Sequence, residues 1–156
     1  MLIALGGIVG VILLFGLITL TTVLLIRFMW RIFFRCSGFA ALAGRFTADH
    51  EPQGETFTWQ HMRIGVVRYR FCTTMVFSPE GLYVTVGRNI PLLSSMAIAQ
   101  HPALLIPWSE VKAVNPTILY LQSAIALTIG EPQIAVIAMM SRFAPLVEHY
   151  TSLTVR

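Results

Sequence analysis

The sequence predicts a membrane-anchored α+β chain: one N-terminal transmembrane helix, then a mostly β barrel or curved sheet closed by a C-terminal helix. Three observations carry this. The first 26 residues, Met1 to Ile26, contain no charged side chain. From Thr56 onward apolar residues recur every second position, as on a half-buried strand. After Ser141 that alternation gives way to helical spacing, with Pro145 placed in a first helical turn.

The opening run can cross a bilayer, since roughly 20 apolar residues in a helix span the hydrocarbon core. It is not patterned as a cleaved leader. No Lys or Arg precedes it, and Arg27, Phe28, Met29 and Trp30 follow where small residues of a cleavage site would stand. Arg27, Arg31 and Arg35 recur every four residues and share one helix face, with Trp30 suited to the headgroup zone. The chain carries 11 basic and seven acidic residues, net +4. Three of the basic residues sit in this flank, so the rest is close to neutral. The basic flank predicts an inner-membrane, single-pass topology with the N-terminus outside and the C-terminal domain cytoplasmic. Gly6, Gly10 and Gly16 narrow the first part of the helix, which favours close approach of another helix. Thr19, Thr21 and Thr22 can bond back to their own helix.

Three parts are expected: residues 1–35, the span with its basic and aromatic edge; 36–55, a short helix and linker; and 56–156, the β-rich domain. Ser37 is placed to cap a helix over Gly38 to Phe46. Phe39, Leu42, Ala43 and Phe46 make its apolar stripe, packed on the domain or lying along the membrane. The polar stretch to Glu55, with Pro52 and Gly54, reads as a loop. Val67, Tyr69, Phe71, Thr73, Met75 and Phe77 alternate with Arg68, Arg70, Cys72 and Thr74. Ser78-Pro79-Glu80-Gly81 is a turn, and Leu82, Val84 and Val86 return, giving a hairpin. Arg88 to His101 reads as a long loop whose Ile90, Leu92, Leu93, Met96 and Ile98 form an apolar contact surface. Ala103 to Trp108 is a strand ending in a fixed corner with a buried Trp108, and Ser109 to Val114 continues beyond the bend. Asn115-Pro116 marks a turn. Strands follow at Ile118 to Leu121, Ile125 to Ile129 and Ile134 to Met139, the last two joined by Gly130-Glu131-Pro132. A rival reading makes residues 117–140 a second span. Glu131 weighs against it, because a central acid costs about 2.5–3.5 kcal/mol on insertion scales.

No nucleotide loop, nucleophile elbow or zinc-protease motif is present. His50, His61, His101 and His149 are scattered, and two lone cysteines, Cys36 and Cys72, make neither a disulfide framework nor a metal knuckle. The expectation is no catalytic residue, no metal and no cofactor, with no small-molecule substrate identified. Arg63, Arg68, Arg70 and Arg88 can gather on one sheet face and, with Arg27, Trp30, Arg31 and Arg35, meet lipid phosphate or a partner. The plainer reading pairs them with Glu55, Glu80 or Glu110. As a nucleic-acid surface the patch is too small.

The order of elements, with Leu105-Ile106-Pro107-Trp108-Ser109-Glu110-Val111 preceded by Ser78-Pro79-Glu80-Gly81-Leu82-Tyr83-Val84, resembles bacterial membrane-tethered pleckstrin-homology-like (GRAM-like) domains over roughly Thr56 to Tyr150. The Arg88 to His101 loop departs from that pattern. The resemblance implies binding of lipid headgroups, peptides or partner subunits rather than catalysis, and transfers no functional residue. The expected function is a non-catalytic accessory or scaffold subunit of a membrane protein complex, alternatively a lipid-headgroup module or an enzyme without a recognisable motif. The expected partners are the lipid bilayer and other membrane proteins.

Overall fold

The computed structural model describes residues 2–36, 38–87 and 101–154. The chain divides into two compact units, Met1–Ile32 and Phe33–Arg156. In the first, helix α1 (Leu2–Cys36) is continuous. Among the described residues it is the one helix long and apolar enough to cross a membrane, over Ile12–Met29. Polar groups within it are satisfied locally: Thr19, Thr21 and Thr22 donate to the carbonyls of Phe15, Leu17 and Ile18, each at 2.8 Å.

In the second unit, helix α2 (Phe39–Phe46) precedes seven antiparallel strands. These are β1 (Glu55–Ile64), β2 (Val67–Ser78), β3 (Gly81–Val86), β4 (Leu104–Ile106), β5 (Val111–Leu119), β6 (Gln122–Ile129) and β7 (Ala135–Met140). Their order across the sheet is β4-β3-β2-β1-β7-β6-β5. The order alone forces curling. Seven strands at about 4.8 Å would put the edges of a flat sheet about 29 Å apart. Yet the chain passes from Ile106 on one edge to Val111 on the other, and five residue steps reach at most about 18 Å. The sheet therefore bends into a half-barrel. Its concave side holds one apolar core, including Met62, Ile64, Met75, Phe77, Leu82, Ile125, Leu127, Ile137 and Met139.

Trp108 fixes the crossing between the edges. It lies in a 3-10 turn, Trp108–Glu110, that follows the extended Pro107. Its indole N–H donates to the Ser78 carbonyl at 2.7 Å, and its ring stacks on Tyr150 at 5.2 Å. That is the buried aromatic corner expected from the sequence. A second 3-10 turn, Ser141–Phe143, leads into helix α3 (Ala144–Thr151), and Phe143 and Val147 are fully buried in the core. Helix α2 packs on the domain through Phe39 and Leu42. Ser37, its expected cap, lies outside the described residues. The position before Phe39 is held by Gly38, whose backbone is left-handed.

Two expectations are corrected, and a rival reading set aside in the sequence falls as well. Asn115-Pro116 is not a turn: both residues sit inside β5, opposite Ala126 and Ile125. Because β5 is an edge strand, Pro116 can lack an N–H without breaking a ladder. The turn comes instead at Tyr120-Leu121, both left-handed, at φ 53° and 63°. Residues 117–140 are no second spanning helix, since they form β6, β7 and the end of β5. Finally, Phe71 does not continue the inward alternation of β2 but is largely exposed.

Candidate functional site

The displacement of Phe71 comes from two irregularities where β1 meets β2. Phe57 pairs with Met75 and Gln60 with Thr73, so β1 carries one extra residue there. One extra residue reverses the face of everything after it. Inward positions on β1 accordingly change from Phe57 to Met62 and Ile64. Gln60 pairs with Thr73 but Met62 with Tyr69, so β2 carries two extra residues in the next step. Two preserve the faces, so Tyr69 and Met75 both point into the core, while Arg70 and Phe71 between them are exposed and Thr73 and Thr74 stay buried. Trp59 and Phe71 sit at these bulges with positive φ, 57° and 49°.

The outward groups converge. The His61 ring lies 4.0 Å from Phe71 and 5.0 Å from Tyr120. The Arg70 guanidinium stands 4.6 Å from the centre of the Tyr120 ring, and that of Arg68 5.9 Å. Arg63 lies directly across the ladder from Arg68. Beside them a hollow of about 350 Å³ is lined by Trp59, Gln60, His61, Phe71, Gln122 and Arg142, among others. Arg142 donates to the Gln60 side-chain oxygen. Three buried polar atoms on this surface have no hydrogen-bond partner: His61 Nδ1, Arg63 Nε and the Tyr120 hydroxyl.

The electrostatics are one-sided. An ion pair joins His50 to Glu80 at 3.4 Å. Neither Glu80 nor another described acid forms a salt bridge with Arg63, Arg68 or Arg70. Burial first, then Arg70 and Arg142, hold the His61 pKa below its ordinary value, which favours the neutral imidazole. Among the described residues the surface thus offers cations, amide and hydroxyl groups and aromatic faces, with no carboxylate lining the hollow.

Of the residues singled out in the sequence, the structure brings Arg63, Arg68 and Arg70 together. Arg88 and the loop residues Ile90, Leu92, Leu93, Met96 and Ile98 lie outside the described residues. Within α1 the surroundings of Gly6 and the side chains of Trp30, Arg31, Arg35 and Cys36 are likewise outside what is described, whereas Arg27 is exposed. A Cβ built on Gly10 or Gly16 meets nothing within 4 Å. The remaining histidines do not gather. His50 is in its exposed pair, His149 lies beside Tyr150, and His101 stacks on Phe39 at 4.5 Å. No group of three or more His, Cys, Asp or Glu side chains suited to a metal occurs among the described residues. Cys72 is a half-buried free thiol whose pKa is raised by burial. Trp59, His61, Phe71, Tyr120 and Arg142 were not marked by the sequence reading.

No protein-family model matches the chain, and no curated protein matches it. Among solved structures, a similar chain is that in "Structure of the Spt16D Pob3N heterodimer", at 12% identity and a TM-score of 0.43. The match covers 69% of this chain and 56% of that one. The chain therefore spans little more than half the length of its structural neighbour.

Proposed function

We propose that the protein is a non-catalytic, membrane-tethered binding module that serves as an accessory or scaffold subunit of a membrane complex. Helix α1 is its anchor, with the N-terminus outside and the half-barrel domain at the cytoplasmic face of the inner membrane. The domain, read as pleckstrin-homology-like from its strand order and C-terminal helix, binds an anionic partner through the aromatic and arginine surface.

One observation carries the reading. Four of the five non-glycine residues with positive φ among those described, Trp59, Phe71, Tyr120 and Leu121, fall at this one surface. Left-handed backbone in such residues costs on the order of 1–3 kcal/mol each and persists where the surrounding structure holds it for a purpose. Here the strain turns two aromatic rings and a hairpin tip outward beside arginines that have no acid. Exposed Leu121, Ile118 and Phe71 bury little apolar area within the domain in return. An anionic, partly apolar partner received on this surface buries more of it.

The test is purification of the tagged full-length chain in mild detergent, as wild type and as the double variant Arg68→Glu, Arg70→Glu. Both arginines are exposed, and equal melting temperatures of the two forms are the check that the variant retains its fold. The expected result is a defined set of membrane proteins with the wild type, diminished with the variant. Equal recovery of the same proteins with both would remove the surface from the partner-binding role.

A further inference from the structure

We infer that the tip of the β5–β6 hairpin, with Leu121 at its end and Ile118 behind it, inserts into an anionic lipid leaflet while Arg68 and Arg70 contact lipid phosphates. This rests on the tethered-module reading: the lipid leaflet is the anionic partner of that surface, and docking on it holds the domain where the protein partners of the complex are met.

The hairpin is built against local preference. A two-residue connection with both central residues left-handed is the place for Asn-Gly or Gly-Gly. Here it is Tyr120-Leu121. Leu121 is 98% exposed and Ile118 69%, so neither is repaid by burial within the chain. Tyr120 is contacted by the His61 ring and by the Arg70 guanidinium. The leucine is therefore presented on a braced support, not left on a loose end. Trp59 and Phe71, 51% and 59% exposed, extend the apolar part of the same surface.

What can receive such a group must accept an isolated leucine and isoleucine, tolerate half-wet aromatic rings and carry negative charge. A bilayer interface does all three. Its acyl boundary takes aliphatic side chains, its headgroup zone favours Trp and Tyr, and anionic lipids attract arginine. Charge complementarity supports this occupant, since among the described residues no carboxylate lines the hollow and none pairs with Arg68 or Arg70. The anchor supports it as well. A chain held in the membrane meets lipid at high effective concentration, so a small insertion suffices where a free domain would need far more contact.

The experiment uses the full chain, with Cys36 and Cys72 changed to serine and Leu121→Cys carrying a spin label. It is reconstituted in vesicles of phosphatidylcholine, with or without phosphatidylglycerol. Collision with oxygen reports an apolar surrounding and collision with a water-soluble nickel chelate an aqueous one. The expected result is a label shielded from nickel in vesicles containing phosphatidylglycerol and exposed to it in phosphatidylcholine alone. Adding Arg68→Glu and Arg70→Glu should return it to water in both. A label that stays in water in both vesicle types overturns the proposal. So does a label shielded in native membranes but wet in vesicles of the extracted lipids, which would assign the tip to a protein. Should the serine changes disturb folding, quenching of an added Leu121→Trp by brominated phosphatidylglycerol reads the same immersion. Co-purification of partner proteins is scored separately, so loss of the accessory role and loss of lipid insertion give different results.

Discussion

Leu121 combines near-complete exposure with a backbone conformation that favours glycine. Left-handed φ costs a non-glycine residue roughly 1–2 kcal/mol, partly offset in a comparison with glycine by the latter's greater unfolded freedom. Leu121→Gly should therefore stabilise the domain by about 0.5–1 kcal/mol while removing the inserted side chain. Thermal unfolding in detergent checks the first effect and lipid contact the second. His101 supplies a second single-residue expectation. Burial against Phe39 and Tyr69 lowers its pKa from 6.5 to about 4. The unfolded chain then binds the proton more readily than the folded one. Stability should be unaffected above 6.5 and fall as pH drops from there toward 4. His61, also lowered, acts in the same sense. Urea midpoints measured across that window should decline with acidity, and His101→Phe should flatten the slope. An unchanged slope in that variant would assign the acid sensitivity elsewhere.

At the scale of elements, the turn from β2 to β3 shows how tightly the half-barrel is drawn together. Ser78 and Gly81 bond to each other through the serine hydroxyl, which donates to the Gly81 carbonyl at 3.0 Å. A Cβ on Gly81 would come within 2.3 Å of the Ile106 carbonyl oxygen on β4. Backbone cannot yield as a flexible side chain does. Gly81→Ala should thus cost about 1–3 kcal/mol, read as a lowered melting temperature with loss of amide protection first along β4. That turn was legible because Ser-Pro-Glu-Gly carries its own geometry. So were the α2 stripe, the Trp108 corner and the β6–β7 hairpin, whose residues state their local preference. The bulges at Trp59 and Phe71 were not. A register shift depends on which residue of another strand lies opposite, and no periodicity along β2 alone reveals that two residues are extra. The β5–β6 turn was missed for a related reason: Asn115-Pro116 has turn chemistry and Tyr120-Leu121 does not. Of the candidate site, the arginines on one strand face could be read, whereas the aromatic groups they join could not.

At the scale of the whole molecule the two units raise different questions. The half-barrel is open on the side that α3 occupies, so its integrity depends on residues late in the chain. Deleting everything after Ser141 removes Phe143, Leu146 and Val147, of which Phe143 and Val147 are fully buried. Losing one large core side chain costs about 3–5 kcal/mol, comparable to the marginal stability of a small domain. The truncated chain should lose protection throughout the sheet. Unchanged melting and exchange would show that α3 merely covers an already stable core.

Helix α1 offers the last test, one that its own structure makes clean. Leucine at a glycine often reports only a clash inside the chain that carries it. Here a Cβ at Gly10 or Gly16 meets nothing within 4 Å, and none of the apolar window Ile12–Met29 is buried. The double variant Gly10→Leu, Gly16→Leu therefore leaves the chain's own packing intact. It should also insert at least as well, because leucine favours both helix and bilayer over glycine. What it removes is two small-residue positions at which another helix could approach closely. If α1 packs on protein, the variant should be made and inserted at normal levels, keep the domain's melting temperature, and come away from the membrane without its partners. The co-purifying proteins should drop by at least about tenfold, since loss of packing worth 1.4 kcal/mol has that effect on an equilibrium. If instead the partners remain in the same amounts, the helix is only an anchor. Assembly would then rest on the half-barrel domain.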